Sequence, residues 1–279
     1  MQYILYNSLA NNGKAQETLE ECKQSLTGDI KAINVIDFNV KEFIAGLGSD
    51  DTVYIIGGDG TLNHFANDTY GIDLPCPVML YSGGNGNDFF RDIKENYGAT
   101  DIPEINGYIT NLPMVKVKDI ECHYLNGIGF GIDGMCCEVA DKMKEEGKKN
   151  INYAGLAIKL LLFEYKCPKA TVTVDGKVME YNKVWFASAM NGRYYGGGMK
   201  VAPEQDRNSD ILTCVIMHDL GKIPTLIAFP GIFEGRHINN KKLTDVYTGK
   251  KINVKFSIPT ALQIDGETVL DVTEYTAWK

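Results

Sequence analysis

No run of apolar residues in this chain is long enough to cross a bilayer. The longest lies within residues 154–163 and is broken by Lys159, against the roughly 20 residues that a spanning helix needs. The opening MQYILYNSLANNGK has no positive region ahead of its apolar residues, so no secretory leader is expected. Positive charge is in deficit: 28 Lys plus Arg stand against 36 Asp plus Glu, a net charge of −8. That balance argues against a general nucleic-acid binder, which needs clustered cations for phosphate backbones. Histidine is scarce, with four residues dispersed at 64, 123, 218 and 237, so a His-based metal site is not expected. The seven cysteines are odd in number and show no CxxC spacing, which predicts reduced, packed thiols in a cytoplasmic protein. Pro-rich linkers, internal repeats and low-complexity segments are all missing.

What remains is ordinary globular composition over 279 residues, enough for two domains or one large one. Residues 3–6, 32–36, 52–56 (TVYII) and 77–81 read as short buried strands. Helical patterns at 14–26, 40–47, 61–70 and 88–93 separate them, which is the α/β alternation of a parallel sheet. After about residue 112 the pattern changes. Residues 114–117 and 122–125 read as strands, and 134–146 and 151–165 as helices. TVTV-DG-KVMEY is a hairpin signal, and further strands follow at 184–190, 211–217, 251–257 and 261–264.

Glycine is in excess at 29 residues, and the excess sits in GGDG (57–60), GGNG (83–86), GIGFGIDG (127–134) and YYGGGMK (194–200). A glycine turn between a strand and a helix lets backbone N–H groups approach a phosphate, aided by the helix N-terminus. Gly57, Gly58, Asp59, Gly60 and Thr61 fit that pattern. A carboxylate there calls for a bridging cation such as Mg²⁺, or else Asp59 and Thr61 are capping residues of a plain βα turn. GGNGNDFFR repeats the arrangement one strand later, with Asn87 and Asp88 as helix caps. Two such loops on successive strands would meet at one edge of a parallel sheet, where open α/β folds bind ligands. Near the end, Ile264-Asp265-Gly266-Glu267 is an Asp-Gly hairpin turn that also sets two carboxylates two residues apart. Arg193 and Lys200 flank three glycines, either to face phosphates or as solvated loop residues. Residues 151–165 could line an acyl channel, though an amphipathic core helix explains them better.

GGDGTLN at 57–63, GNGNDFFR at 84–91, NGIGFGID at 126–133, NGRYYGGGMKVAP at 191–203 and IDGE at 264–267 resemble, in order and spacing, the diacylglycerol kinase catalytic family. The resemblance is to its soluble bacterial lipid kinases and spans essentially the whole chain. It implies a Rossmann-like α/β domain at 1–115 that binds ATP, joined by the tail at about 270–279. It implies a β-sandwich-like lipid-substrate domain at 116–269. It implies ATP- and Mg²⁺-dependent phosphorylation of a lipid hydroxyl of diacylglycerol type, by a cytoplasmic protein peripheral at a membrane. Carried over, Asn7, Gly57, Gly58, Asp59, Gly60, Thr61, Leu62, Asn63, Asn85, Gly86, Asn87 and Asp88 would contact ATP or its magnesium. Glu267 would be the general base, with Asp265 and Asp59 completing the catalytic carboxylates. Asp59 and Asp210 would be the metal ligands. The chain departs from the family at Asn85, a threonine in GTGND, and at 208–210, where Asn-Ser-Asp replaces the Asp-Asp-Gly of a structural Mg²⁺ loop. An NAD kinase-like enzyme, or a catalytically silent nucleotide- or lipid-binding protein, are the alternatives. With so little net positive charge, weak and salt-sensitive membrane binding is expected, through the pairs Lys148-Lys149, Lys241-Lys242 and Lys250-Lys251.

Overall fold

A computed structural model describes residues 1–9, 15–83, 87–148, 151–219 and 221–279, with Ala154 as backbone only. The chain divides into two units, Met1–Leu112 and Pro113–Lys279.

The first unit begins with β1 (Gln2–Tyr6), α1 (Ala15–Ser25), β2 (Ile30–Asn34), α2 (Val40–Ala45) and β3 (Thr52–Gly57). It continues with α3 (Asp59–Asp68), β4 (Val78–Ser82), α4 (Asp88–Tyr97) and the single turn α5 (Asn106–Ile109). The strands form a parallel sheet in the order β2-β1-β3-β4. Ile4, Val53, Ile55, Ile56 and Leu80 are buried in it, which is why these segments are apolar on both faces. Leu19 and Cys22 of α1 pack with Ile4 and Ile56 in one cluster. The order reverses between β1 and β3, because β2 is added on one side of β1 and β3 on the other. That reversal is where open α/β sheets leave a crevice at the carboxyl ends of their strands.

The second unit runs β5 (Met114–Val117), β6 (Ile120–His123), β7 (Gly127–Phe130), α6 (Ile132–Glu145), α7 (Tyr153–Phe163), β8 (Ala170–Val174) and β9 (Lys177–Tyr181). Then come β10 (Phe186–Met190), β11 (Leu212–Met217), α8 (Lys222–Ala228), β12 (Thr244–Gly249), β13 (Lys251–Ile264) and β14 (Glu267–Trp278). The main antiparallel path is β12-β11-β10-β7-β13-β14-β5-β6, with the β8–β9 hairpin pairing to β13. β10 and β11 are buried on both faces. Phe186, Met190, Val215 and Met217 face α6 and α7, while Ala187, Ala189, Cys214 and Ile216 face the other core layer, at the period of two that a strand dictates. In that layer Phe130 stacks on Phe256 with ring centroids 3.9 Å apart.

The structure adds to the sequence expectations and corrects some of them. Residues 251–257 and 261–264, expected as separate strands, form one strand, β13, with register shifts between Lys255 and Leu262. Its first half pairs with β8 and its last residues with β7, so the shift lets one strand serve two neighbours. The glycine cluster GIGFGIDG is buried strand β7 followed directly by α6, with no intervening loop. Residues 270–278 of the tail lie on β14, where Thr276–Trp278 pair with β5 and Tyr275–Trp278 with the start of β13. Asp175 and Gly176 take positive φ in the hairpin that the Asp-Gly pair announced.

Gly134 explains why α6 can lie so close to β13. A Cβ there would sit 2.1 Å from the Ala261 carbonyl oxygen, which is backbone and has no room to yield. Gly134→Ala is therefore expected to lower unfolding free energy by about 2 kcal/mol or more despite the helix propensity of alanine. Gly60→Ala, where nothing lies within 4 Å, should change it by less than about 0.5 kcal/mol. Urea unfolding followed by circular dichroism checks both, and equal midpoints for the two variants would refute the packing argument.

Candidate functional site

The first candidate site lies at the carboxyl ends of β1 and β3. Gly57 ends β3, and Gly58 is the extended N-cap of α3, with no side chain of its own to cap the helix. A Cβ on Gly57 would fall 2.5 Å from the Thr61 side chain, so only glycine lets the first turn of α3 fold back on the strand end. The Asp59 carboxylate reaches the next loop. Its Oδ2 accepts the Asp88 N–H at 2.9 Å and its Oδ1 the Phe89 N–H at 3.0 Å. These two N–H groups open α4, which has no side-chain cap of its own. The Gly83 N–H also bonds to the Gly57 carbonyl at 3.2 Å. Asp59 thus caps α4, and with the Gly83–Gly57 bond it ties the head of that helix and the end of β4 to the end of β3.

Other expected residues gather around this edge. Asn7 follows β1 and accepts the Leu9 N–H at 2.9 Å in an Asx turn. Asn7 and Thr61 line a cavity of about 200 Å³ together with Val35, Ile36, His64 and Asp68. Asn63 holds Asn67 one turn on at 3.0 and 3.1 Å. Leu62 is buried in the core. Asp88 is buried at the head of α4, and Asn87 is that helix's N-cap. Asn85 and Gly86 lie outside the described residues. A larger opening of about 490 Å³ sits among Met1, Asp29, Asp50 and Thr52, at the amino ends of the strands and away from the glycine turns.

In the second unit Asp265 and Gly266 take φ of 47° and 97° and turn β13 into β14, as the Asp-Gly hairpin predicts. The Asp265 carboxylate is occupied. It accepts the N–H groups of Leu125 at 2.5 Å, Asn126 at 2.8 Å and Gly127 at 3.0 Å. Glu267, two residues on, is exposed and receives no hydrogen bond from the described residues. Its charge is felt by the Cys137 thiol, which burial pushes up to about 12. The two basic residues of the glycine-rich loop are also engaged. Arg193 donates to the Pro203 carbonyl at 3.1 Å, and Lys200 lies 5.4 Å from the centre of the Tyr194 ring.

The segment that resembles a structural Mg²⁺ loop is closed by its own side chains. Gln205 Nε2 donates to the carbonyls of Asp206 at 3.0 Å and Ile211 at 2.8 Å. Ser209 Oγ donates to the same two carbonyls at 2.7 and 3.2 Å. Asp210 is exposed beside them. The Asp206 and Ile211 carbonyls are thus engaged by neutral donors of the loop itself.

Sequence reasoning missed a buried polar group behind the glycine motifs. The Tyr195 hydroxyl donates to Asp133 Oδ2 at 2.6 Å and lies 3.0 Å from Ser188 Oγ. Burial raises the Asp133 carboxyl from 3.8 to about 6, against the opposing bonds from Tyr195 and the Gly134 N–H. Asn126 and Asn191 form a second network. The Asn126 carbonyl accepts the N–H groups of Asn191 and Gly192, each at 2.9 Å. Asn126 Oδ1 takes Arg207 Nη2 at 3.1 Å, and Asn191 Oδ1 takes Lys279 Nζ at 2.9 Å. The repeated Asn-Gly pairs at 126 and 191 were the available signal, but which chain segments they join is a tertiary matter.

Asp133 makes a testable contribution to stability. Its folded form holds a proton more tightly than the unfolded chain does, so its contribution is fully present below about pH 4 and is lost as pH rises through about 6. Asp133→Asn cannot ionise. From pH 4 to pH 7 the variant should gain about 2–3 kcal/mol relative to the native chain in urea unfolding. A constant difference between the two across that range would show that Asp133 is ionised throughout.

Comparison with known proteins agrees with this layout. Residues 2–117 match the diacylglycerol kinase catalytic domain, and residues 126–276 match the YegS C-terminal NAD kinase beta sandwich-like domain. A provisionally named lipid kinase of Staphylococcus epidermidis is 27% identical over 235 residues, covering 79% of this chain and 71% of that protein. A diacylglycerol kinase of Mycobacterium tuberculosis is 25% identical over 217 residues, covering 75% and 67%. The crystal structure of a provisionally named diacylglycerol kinase from Bacillus anthracis shares the fold, with a TM-score of 0.70 and 18% identity over 99% of this chain and 91% of that one. A catalytic α/β unit followed by the β-sandwich-like unit, matched in that order from residue 2 to residue 276, places this chain in the diacylglycerol kinase-like family.

Proposed function

We propose that the protein is an ATP- and Mg²⁺-dependent lipid kinase acting on a hydroxyl of diacylglycerol type. The observation that carries this reading is the pair of hydrogen bonds from the Asp88 and Phe89 N–H groups to Asp59. They bring two glycine turns to one sheet edge, at the reversal of strand order where α/β folds bind nucleotides. The N–H groups opening α3 suit a phosphate chain, since the N-cap Gly58 has no side chain to occupy them. Asn7 and Thr61 line the adjacent cavity and would hold the rest of the nucleotide. Asp59 and Asp88 offer only oxygen donors, the set a hard divalent cation prefers, and each Asp59 oxygen keeps a lone pair beyond its N–H partner. Bound there, Mg²⁺ would offset the charge of the phosphates.

The acceptor side belongs to the second unit. Phosphoryl transfer to a lipid alcohol needs a carboxylate to take the hydroxyl proton. Glu267 fits that role because it is exposed and uncommitted to any described hydrogen bond. Asp265 does not, because three N–H groups already occupy its carboxylate. It is a positioning residue that fixes the turn from which Glu267 projects.

Transfer of ³²P from labelled ATP into a total lipid extract, with identification of the product, tests the activity. The absence of any labelled lipid would overturn it. Asp59→Asn should abolish transfer and lower unfolding free energy by about 1–2 kcal/mol, because an amide accepts at only one of its two heavy atoms. Turnover within twofold of the native enzyme would remove Asp59 from the site.

Glu267→Gln separates the base from the fold. It should leave the urea midpoint unchanged and ATP affinity within a few-fold, and slow transfer by about 10²-fold. Undiminished transfer in this variant would end the assignment of Glu267 as base.

A further inference from the structure

Histidine is too sparse in this chain to announce a metal site, and among the described residues no three His, Cys, Asp or Glu side chains converge on one point. Tyrosine changes the donor count at the carboxyl end of β11. His218 follows that strand and is only 8% exposed. Its Nδ1 lies 2.8 Å from Asp219 Oδ2, so Nδ1 carries the ring hydrogen and donates it. Nε2 is then a bare lone pair, buried and without a hydrogen-bond partner among the described residues. It faces another acceptor, Asp245 Oδ2 of β12, at 3.5 Å. Two lone pairs turned toward each other out of water repel unless a cation lies between them. Two phenols complete the cluster. Tyr181 Oη of β9 lies 2.9 Å from Asp245 Oδ2 and 3.1 Å from Tyr247 Oη, and Tyr247 Oη lies 3.4 Å from Asp245 Oδ2. One ion can touch all three oxygens of so small a triangle at about 2.0–2.2 Å.

We propose that His218, Tyr181, Asp245 and Tyr247 form a structural site for ferric iron. Charge selects the ion. Two phenolates and one carboxylate carry three negative charges, so a trivalent ion leaves a neutral complex, whereas a divalent one would leave a net charge beside two buried rings. Donor type agrees, because phenolate and carboxylate are hard oxygen donors and imidazole suits iron. The two phenol protons pass to solvent as the ion binds, and no electron is transferred. Asp219, behind Nδ1, is the carboxylate that orients a metal-bound imidazole and fixes its tautomer. Lys177 Nζ, 5.3 Å from the centre of the Tyr247 ring, favours the ionised phenol. Tyr181 ends β9, which pairs with β8, so the ion would clasp the β8–β9 hairpin to β11 and β12. The site stands apart from the residues assigned to phosphoryl transfer. Phe186 of β10 pairs with Met217, next to His218, while Met190 at the other end of β10 pairs with Gly127, which Asp265 holds.

Incubation of the full chain with ferric nitrilotriacetate, followed by desalting, tests the proposal. The native chain should retain one iron and show a visible phenolate-to-iron charge-transfer band. Its thermal midpoint should rise with iron, since an ion that binds only the folded form stabilises it. Tyr247→Phe keeps the ring and removes only the oxygen. This variant should lose the band and bind iron at least tenfold more weakly, with the midpoint of the iron-free chain unchanged. Asp245→Asn should lose iron as well, whereas Tyr153→Phe, on α7, should keep both iron and band. A native chain that retains no iron overturns the proposal. So does a band of equal strength in Tyr247→Phe and Asp245→Asn, since the iron then sits elsewhere on the surface. Equal retention of Zn²⁺ and iron without a visible band overturns the ferric assignment, because the phenols would then not be ligands.

Discussion

The Asp59 carboxylate, accepting the first two N–H groups of α4, is the contact on which the candidate nucleotide site depends. α3 opens on Gly58, which has no side chain to cap it, and Asp59 in its first turn reaches across to the head of α4. One charged side chain satisfies two amides that would otherwise need water and aligns the positive ends of two helices toward one edge. The capping and phosphate-loop readings of Asp59 are therefore compatible. The cap creates the geometry in which backbone amides can meet a polyanion.

The second unit repeats this device with different residues. Asp265 gathers three consecutive N–H groups from the segment leading into β7, while Asn126 and Asn191 interlock the two Asn-Gly segments. Gly134 lets α6 approach β13, and Gly129 leaves room for the Asp133 side chain of the buried Asp133–Tyr195 pair. Tight backbone approach and saturated polar side chains together make a stiff platform at the β13–β14 turn. Glu267 is left exposed on that platform. Asp265, engaged by three N–H groups, and the exposed Glu267 thus differ in environment, which their spacing alone could not show.

The loop at 205–212 closes through neutral hydrogen bonds, Gln205 and Ser209 each bonding the Asp206 and Ile211 carbonyls. A carboxylate at position 209 would accept where serine donates and would leave both carbonyls without that partner.

Much of this was legible along the chain. Buried parallel strands announce themselves as β-branched apolar runs, glycine turns mark where strands meet helices, and Asp-Gly pairs fix hairpins at 175–176 and 265–266 because only certain residues tolerate positive φ there. Local chemistry determines these features, so local sequence reports them. The sequence could not report that Asp59 caps α4, that Asp265 is spent on residues 125–127, that GIGF is a buried strand, or that the tail pairs with β5. Each of these depends on which distant backbone arrives within 3 Å of a side chain, and on whether an apolar residue finds the core or the surface. Ile223 and Leu226 look alike in sequence, and only the packing of α8 against α7 turns one outward and the other in.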